Sequence, residues 1–298
     1  MVIDAFFHPD QLSFRPRYEW AFGERVDHPE TTRRADTIMK ALRDAGAYRL
    51  VEPTPIDDET LDRTHSPVLR TLYETARAVP EGDDLYPHVF PRQHDGDPHN
   101  LMHAGAFCFD AGTPLNAHLP DAARWSAASA RSAALSVAEG AKMAYALSRP
   151  PGHHAEESTF GGYCYYNNAA VAVDALRTRG QSKVCVLDID FHHGNGTQSR
   201  FLHDPNVLVV SIHGDPMKYY PFYCGFEHEV GKDDGRGTNL NVPLPGGTDI
   251  KDYEPALQRA LERIASFEPS TIVVSAGLDG YHLDPVGDFK LQTDDFTT

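Results

Sequence analysis

The sequence is poor in basic residues: 27 lysines and arginines stand against 43 aspartates and glutamates in 298 residues, a formal net charge of -16. Phosphate backbones bind clustered positive charge, so no nucleic-acid partner is expected, and a field of this sign concentrates cationic ligands instead. No apolar run approaches the roughly 18 residues that a membrane span requires, so no membrane partner is expected either. Cysteines are few, Cys108, Cys164, Cys185 and Cys224, with no Cys-x-x-Cys pair, which argues against a disulfide framework and against cysteine-ligated zinc. The opening Met1-Val2-Ile3-Asp4-Ala5-Phe6 has no basic stretch ahead of an apolar one, so no secretory signal is read and a cytoplasmic location is expected. Internal repeats and low-complexity tracts are also missing, which favours one domain over 1–298.

What is present is a regular α/β pattern. A short strand is expected over 2–7, then a helix from near Pro29 with Ala35, Ile38, Met39 and Leu42 at helical spacing and Gly46 as its stop. An Ala-rich helix over about 126–142 leads into a short strand over 144–147. A helix over 169–176 has Asn168 as its cap, and another over 252–267 carries Pro255 in its first turn. Val184–Leu187, Val207–Val210 and Thr271–Val274 are continuous rather than alternating apolar runs, the mark of a parallel sheet covered on both faces. Residues 80–122, rich in Pro, Gly, Asp and His, read as a long loop, a lid or a subunit contact, and so point to a homodimer.

In a parallel α/β sheet the ligand site lies beyond the carboxyl ends of the strands. Three polar segments follow such ends: Asp188-Ile189-Asp190-Phe191-His192-His193-Gly194-Asn195, Ser275-Ala276-Gly277-Leu278-Asp279, and the pair His153-His154. Side chains two apart on an extended segment point the same way, so Asp190 and His192 converge, and Asp279 supplies a third ligand. Three protein ligands with an open position suit a catalytic divalent metal, most simply one zinc, although Fe2+ is not separable on donor type. Any one of these residues alone reads as a cap or a surface turn. A metal-activated water needs a base, and His154 with His153 beside it fits, held behind the stiff Arg149-Pro150-Pro151-Gly152. Asp188 and Asn195 are the nearest polar side chains in motif terms to orient them.

The segments 149–155 (RPPGHHA), 161–172 (GGYCYYNNAAVA), 187–198 (LDIDFHHGNGTQ) and 277–285 (GLDGYHLDP) together resemble the histone deacetylase superfamily, nearest the bacterial acetylpolyamine amidohydrolases and histone deacetylase-like amidohydrolases. The resemblance implies an arginase-deacetylase fold, three layers α/β/α around a mainly parallel sheet of about eight strands, and zinc-dependent hydrolysis of an N-acylated amine. By position it makes Asp190, His192 and Asp279 the zinc ligands and His153 and His154 the catalytic histidines. Asp188 then orients His153 and joins Ser211 and the backbone carbonyls of Asp190 and His192 in a structural potassium site. Asn195 pairs with His154, Tyr163 and Tyr220 wall the acyl tunnel, and Gly162 and Gly277 line its side and floor. The binuclear arginase alternative requires a second acid where Tyr281 stands, so one metal is expected.

The sequence departs from the family in two ways. The family supplies a tyrosine in a late Glu-Gly-Gly-Tyr or Gly-Gly-Gly-Tyr segment, whereas these residues reach Thr298 first; the expectation is a chain cut short of its last strand and helix, against one naturally lacking that group. Acetylpolyamine amidohydrolases also place glutamates in the long loop to receive the distal ammonium, where this chain has Leu101 and Gly112, leaving Asp95, Asp97 or Asp110 as substitutes. The rival readings are a hydrolase of uncharged or xenobiotic amides, and a metal-binding protein with little turnover.

Overall fold

The structure is a computed structural model that describes residues 2–21, 23–91 and 96–297. Asp95 lies outside the described residues. The chain divides into two compact units, Met1–Arg179 and Gly180–Thr298.

In the first unit, β1 (Ile3–Phe6) is followed by the antiparallel hairpin β2 (Tyr18–Ala21) and β3 (Glu24–Asp27), then α1 (Thr32–Asp44) and β4 (Tyr48–Val51). Next come α2 (Asp58–Asp62), α3 (Pro67–Thr75), α4 (Leu119–Ala138), β5 (Ala144–Ala146) and α5 (Asn168–Thr178). The main sheet has the order β4-β1-β5 and is wholly parallel. The periodicity of α1 holds: Ala35, Met39 and Leu42 are its buried face, and Ala35 and Met39 pack with Phe7 and Leu147. Helix α4 starts seven residues earlier than its Ala-rich composition suggests, at Leu119 rather than 126, because Pro120 is accommodated in the first turn, where no intrahelical N–H is lost. It ends at Ala138, ahead of Gly140 with its positive φ of 110°. Its alanines and serines let α4 and α5 pack closely. The cap of α5 is Asn167, whose side chain accepts from Ala170 N at 2.9 Å, and not Asn168.

The 80–122 segment is not structureless. Leu85 and Leu115 form a bridge, Leu101–Ala106 is a 3-10 turn, and Phe107, Cys108 and Leu115 join the buried core. The loop that precedes the tandem histidines is anchored by Arg149, 1% exposed, whose Nε lies 2.8 Å from Glu30 Oε1 and whose Nη1 donates to Gln11 O at 2.6 Å. Burial raises the Glu30 carboxyl pKa, while Arg149 and Arg34 pull it down. Removing one partner of such a pair strands the other charge, so Arg149→Met should cost about 3–5 kcal/mol in a denaturant unfolding experiment. A loss below about 1 kcal/mol would show that Glu30 does not depend on the guanidinium.

In the second unit, β6 (Val184–Asp188), α6 (Asn195–Phe201), β7 (Val207–Gly214), β8 (Asn239–Leu244), α7 (Ile250–Phe267) and β9 (Thr271–Ser275) build a parallel sheet in the order β8-β7-β6-β9. Strands β6 and β7 are buried along their whole length, as continuous apolar runs predict. Edge strand β9 is the exception, with Ile272 46% and Val274 51% exposed. Strand β8 is hidden from a hydropathy reading because Asn239 and Asn241 are polar. Both are nevertheless buried, and both donate to Gln198 Oε1, at 2.9 and 2.8 Å. Helix α7 starts two residues before the expected Asp252, with Asp249 accepting from Lys251 N, so Pro255 is its sixth residue and lies in the second turn.

Candidate active site

In the second unit, β6 delivers Asp188 at its carboxyl end, and the chain then turns through Asp190 and His192. The segment after β9 brings Asp279 to the same place. Nδ1 of His192 lies 2.8 Å from Asp279 Oδ2 and 3.3 Å from Asp190 Oδ1. Among the described residues, Asp190, His192 and Asp279 are the one group of three His, Cys, Asp or Glu side chains whose ligand atoms lie within 4.8 Å of one another. Burial and the adjacent Asp190 push the Asp279 carboxyl up to about 6. For His192, burial lowers proton affinity, but hydrogen bonds to Asp190 and Asp279 and their charge overcome it, raising the imidazole to about 10. Two carboxylates held together out of water favour a cation between them, and a divalent metal is one that this donor set could hold.

The clearance around this group is tight. A Cβ on Gly277 would stand 2.0 Å from Asp190 Oδ2, so the absence of a side chain at Gly277 leaves the Asp190 carboxylate its room. Asp188 accepts from Asp190 N at 3.1 Å and pairs in register with Ser211, and both are 1% exposed. Ser211 Oγ lies 2.7 Å from His213 Nδ1. Asn195 is buried at the start of α6. Tyr220 presents its ring edge-on to His192, with centroids 6.2 Å apart.

In the first unit, His153 and His154 are 9% and 3% exposed, with ring centroids 3.9 Å apart. Their loop is fixed at both ends. Asn168, expected as a cap, instead donates to Pro150 O at 3.2 Å and Ser126 Oγ at 3.0 Å, and a Cβ on Gly152 would meet Asn168 N at 2.5 Å. Gly162, at φ 57°, backs His154: a Cβ there would lie 2.1 Å from the ring Cδ2. The neighbouring Tyr163 donates its hydroxyl to Glu19 Oε2 at 2.6 Å.

Glu19 carries no expectation from the sequence, because no strand or helix is assigned between the strand over 2–7 and the helix near Pro29, although Tyr18–Ala21 and Glu24–Asp27 pair as β2 and β3. The signal available was the alternation Tyr18-Glu19-Trp20 before Gly23. Its carboxylate stands 3.0 Å from where a Cβ on Gly112 would begin, one of the two positions at which a loop glutamate is expected. Burial raises its pKa, and the Tyr163 hydrogen bond opposes that. Of the suggested substitutes, Asp110 accepts from Gly112 N and Gly162 N, at 2.9 and 2.6 Å, and so braces the turn beside His154. Asp97 accepts from His99 N in its own turn.

Residues 28–298 match the histone deacetylase domain family. The acetylpolyamine amidohydrolase of Burkholderia pseudomallei is 38% identical over 298 residues, which covers 98% of this chain and 87% of that protein. That of Mycoplana ramosa is 39% identical over 299 residues, covering 98% and 88%. A crystal structure of the acetylpolyamine aminohydrolase from Burkholderia pseudomallei superposes with a TM-score of 0.93 at 38% identity, over 99% of this chain and 87% of the other. With a parallel α/β architecture, a buried histidine pair and a two-carboxylate, one-imidazole cluster in place, the chain belongs to the histone deacetylase family and is an enzyme of the deacetylase and amidohydrolase type.

Proposed function

We propose that the protein is a zinc-dependent amidohydrolase that removes an acyl group, acetyl in the first instance, from an N-acylated amine, with acetylpolyamines ahead of acetyl-lysine as substrates. The observation that carries this reading is the convergence of Asp190, His192 and Asp279 in a chain 38% identical to an acetylpolyamine amidohydrolase over 98% of its length. Asp190, His192 and Asp279 would hold the zinc, and when bound it supplies Lewis-acid stabilisation of the charge developing on the acyl oxygen. His154 takes the proton of the attacking water, and His153 or His154 returns one to the leaving amine. Asp188 and Ser211 fit the structural potassium. A cytoplasmic homodimer built on the 80–122 loop belongs to the same proposal, and no helix of the described residues is long and apolar enough to cross a membrane.

The carboxylate of Glu19 favours a cationic substrate. Glu19→Gln should raise KM for N-acetylputrescine about tenfold, the worth of one partly buried charge pair, and leave an uncharged N-acetylanilide unaffected. Equal effects on both would remove Glu19 from substrate recognition.

The deciding experiment is deacetylation of N-acetylputrescine, N-acetylcadaverine, an acetyl-lysine peptide and an uncharged acyl-anilide by the zinc-loaded protein, before and after chelation. Chelator-sensitive turnover of the acetylated diamines is expected. Turnover confined to the anilide would replace the amine reading with hydrolysis of uncharged amides, and zinc binding with no turnover would leave a metal-binding protein.

A further inference from the structure

We propose that Tyr219 and Asp288 form a latch that positions Asp279 through Phe191, an inference that rests on the reading of Asp190, His192 and Asp279 as the zinc site. Phe191 lies in the chain between two members of that group, and its backbone N–H donates to Asp279 Oδ1 at 2.8 Å. One carboxylate oxygen is thereby held, and the other, Oδ2, is the one turned toward His192 Nδ1. The direction in which Asp279 presents Oδ2 thus depends on where Phe191 sits.

Phe191 is fully buried between two rings, Tyr219 edge-on at 4.8 Å and Phe289 edge-on at 4.7 Å. The two flanking segments are tied together by the Tyr219 hydroxyl, which donates to Asp288 Oδ2 at 2.7 Å. Asp288 is itself fixed: its backbone carbonyl accepts from Gly247 N at 2.6 Å, and Lys290 Nζ donates to its Oδ1 at 3.1 Å. Three glycines leave this assembly just enough room. A Cβ on Gly246 would stand 1.9 Å from the Tyr219 hydroxyl, one on Gly287 1.8 Å from the Asp279 carbonyl, and one on Gly214 2.7 Å from the Phe191 ring. Packing this tight transmits a displacement, because no void is available to absorb it. The Tyr219 hydroxyl, raised to about 12 chiefly by its bond to Asp288, stays protonated and donating throughout the neutral range.

The test is zinc affinity of the full chain, measured by competition with a chromophoric chelator, alongside the melting temperature of the metal-free protein. Tyr219→Phe keeps the ring on Phe191 and removes the hydrogen bond; Asp288→Asn keeps an acceptor for it. Tyr219→Phe should bind zinc about tenfold more weakly, as loss of an outer support to a metal ligand does, while Asp288→Asn stays within about twofold of wild type. Metal-free melting temperatures should be unchanged in both. Wild-type zinc affinity in Tyr219→Phe overturns the latch and leaves the zinc site standing. Equal weakening in both variants with lowered melting temperatures marks a merely structural contact and also overturns it. A wild-type protein that binds no zinc overturns the metal reading and the latch together.

Discussion

Gly277→Ala should abolish stoichiometric zinc binding and lower kcat/KM by at least about 10²-fold, because Asp190, proposed as one of three metal ligands, is driven out of place. The added methyl would lie 2.0 Å from Asp190 Oδ2 and 2.4 Å from its Cγ, distances that no real Cβ tolerates. The backbone of Gly277 is fixed close behind β9, which pairs in register with β6 as far as Ser275 and Asp188, so the side chain must yield. Asp190 has little freedom to yield productively: Oδ1 accepts from His192 N at 2.8 Å, and rotating the carboxyl breaks that bond and turns Oδ1 away from His192 Nδ1. Metal content after desalting and the melting temperature of the metal-free protein separate ligand displacement from unfolding. An alanine variant that holds one zinc with undiminished affinity would rule out Asp190 as a ligand in this geometry.

His154→Ala should act on the chemistry and not on the metal. A turnover number lower by about 10²- to 10⁴-fold is expected for loss of a positioned proton acceptor, with zinc still bound at one per chain. The imidazole is 3% exposed and lies against the backbone of Gly162, which approaches too closely for any side chain to stand between them. Gly162→Ala should therefore reproduce part of the same loss by pushing the ring aside, and its φ of 57° adds strain for any residue with a Cβ. Loss of zinc from the His154→Ala protein would refute the division between metal-holding and proton-moving residues.

The chemistry-bearing segments were legible because their signals are local. A continuous apolar run that ends at Asp188 declares a buried strand. The two-residue period of extended backbone aims Asp190 and His192 together, but the strand stops at Asp188 and it is a bend over 190–192 that brings the two side chains to one place. The Pro-Pro-Gly segment before His153-His154 likewise declares a stiff turn. Boundaries were less legible where composition and conformation disagree. The Pro120 that opens α4 looks like a loop residue, and the asparagines of β8 look like surface.

Nothing local in 18–27 says that a hairpin will carry Glu19 to Tyr163, a residue 144 positions away, because that contact is made by folding and not by neighbours in the chain. The same holds for Tyr219 and Asp288, which are 69 residues apart. Residue types and their spacing in the segments that follow the strands determined the fold class and singled out Asp190, His192, Asp279 and the pair His153-His154 as candidates. Tertiary structure alone decided which glycines press on those groups, which carboxylate meets the tyrosine beside His154, and what holds Asp279 in place. The reason is physical: hydropathy and periodicity act over a few residues, whereas close packing and hydrogen-bond closure act between segments far apart in sequence, and their outcome depends on where every intervening residue has come to rest.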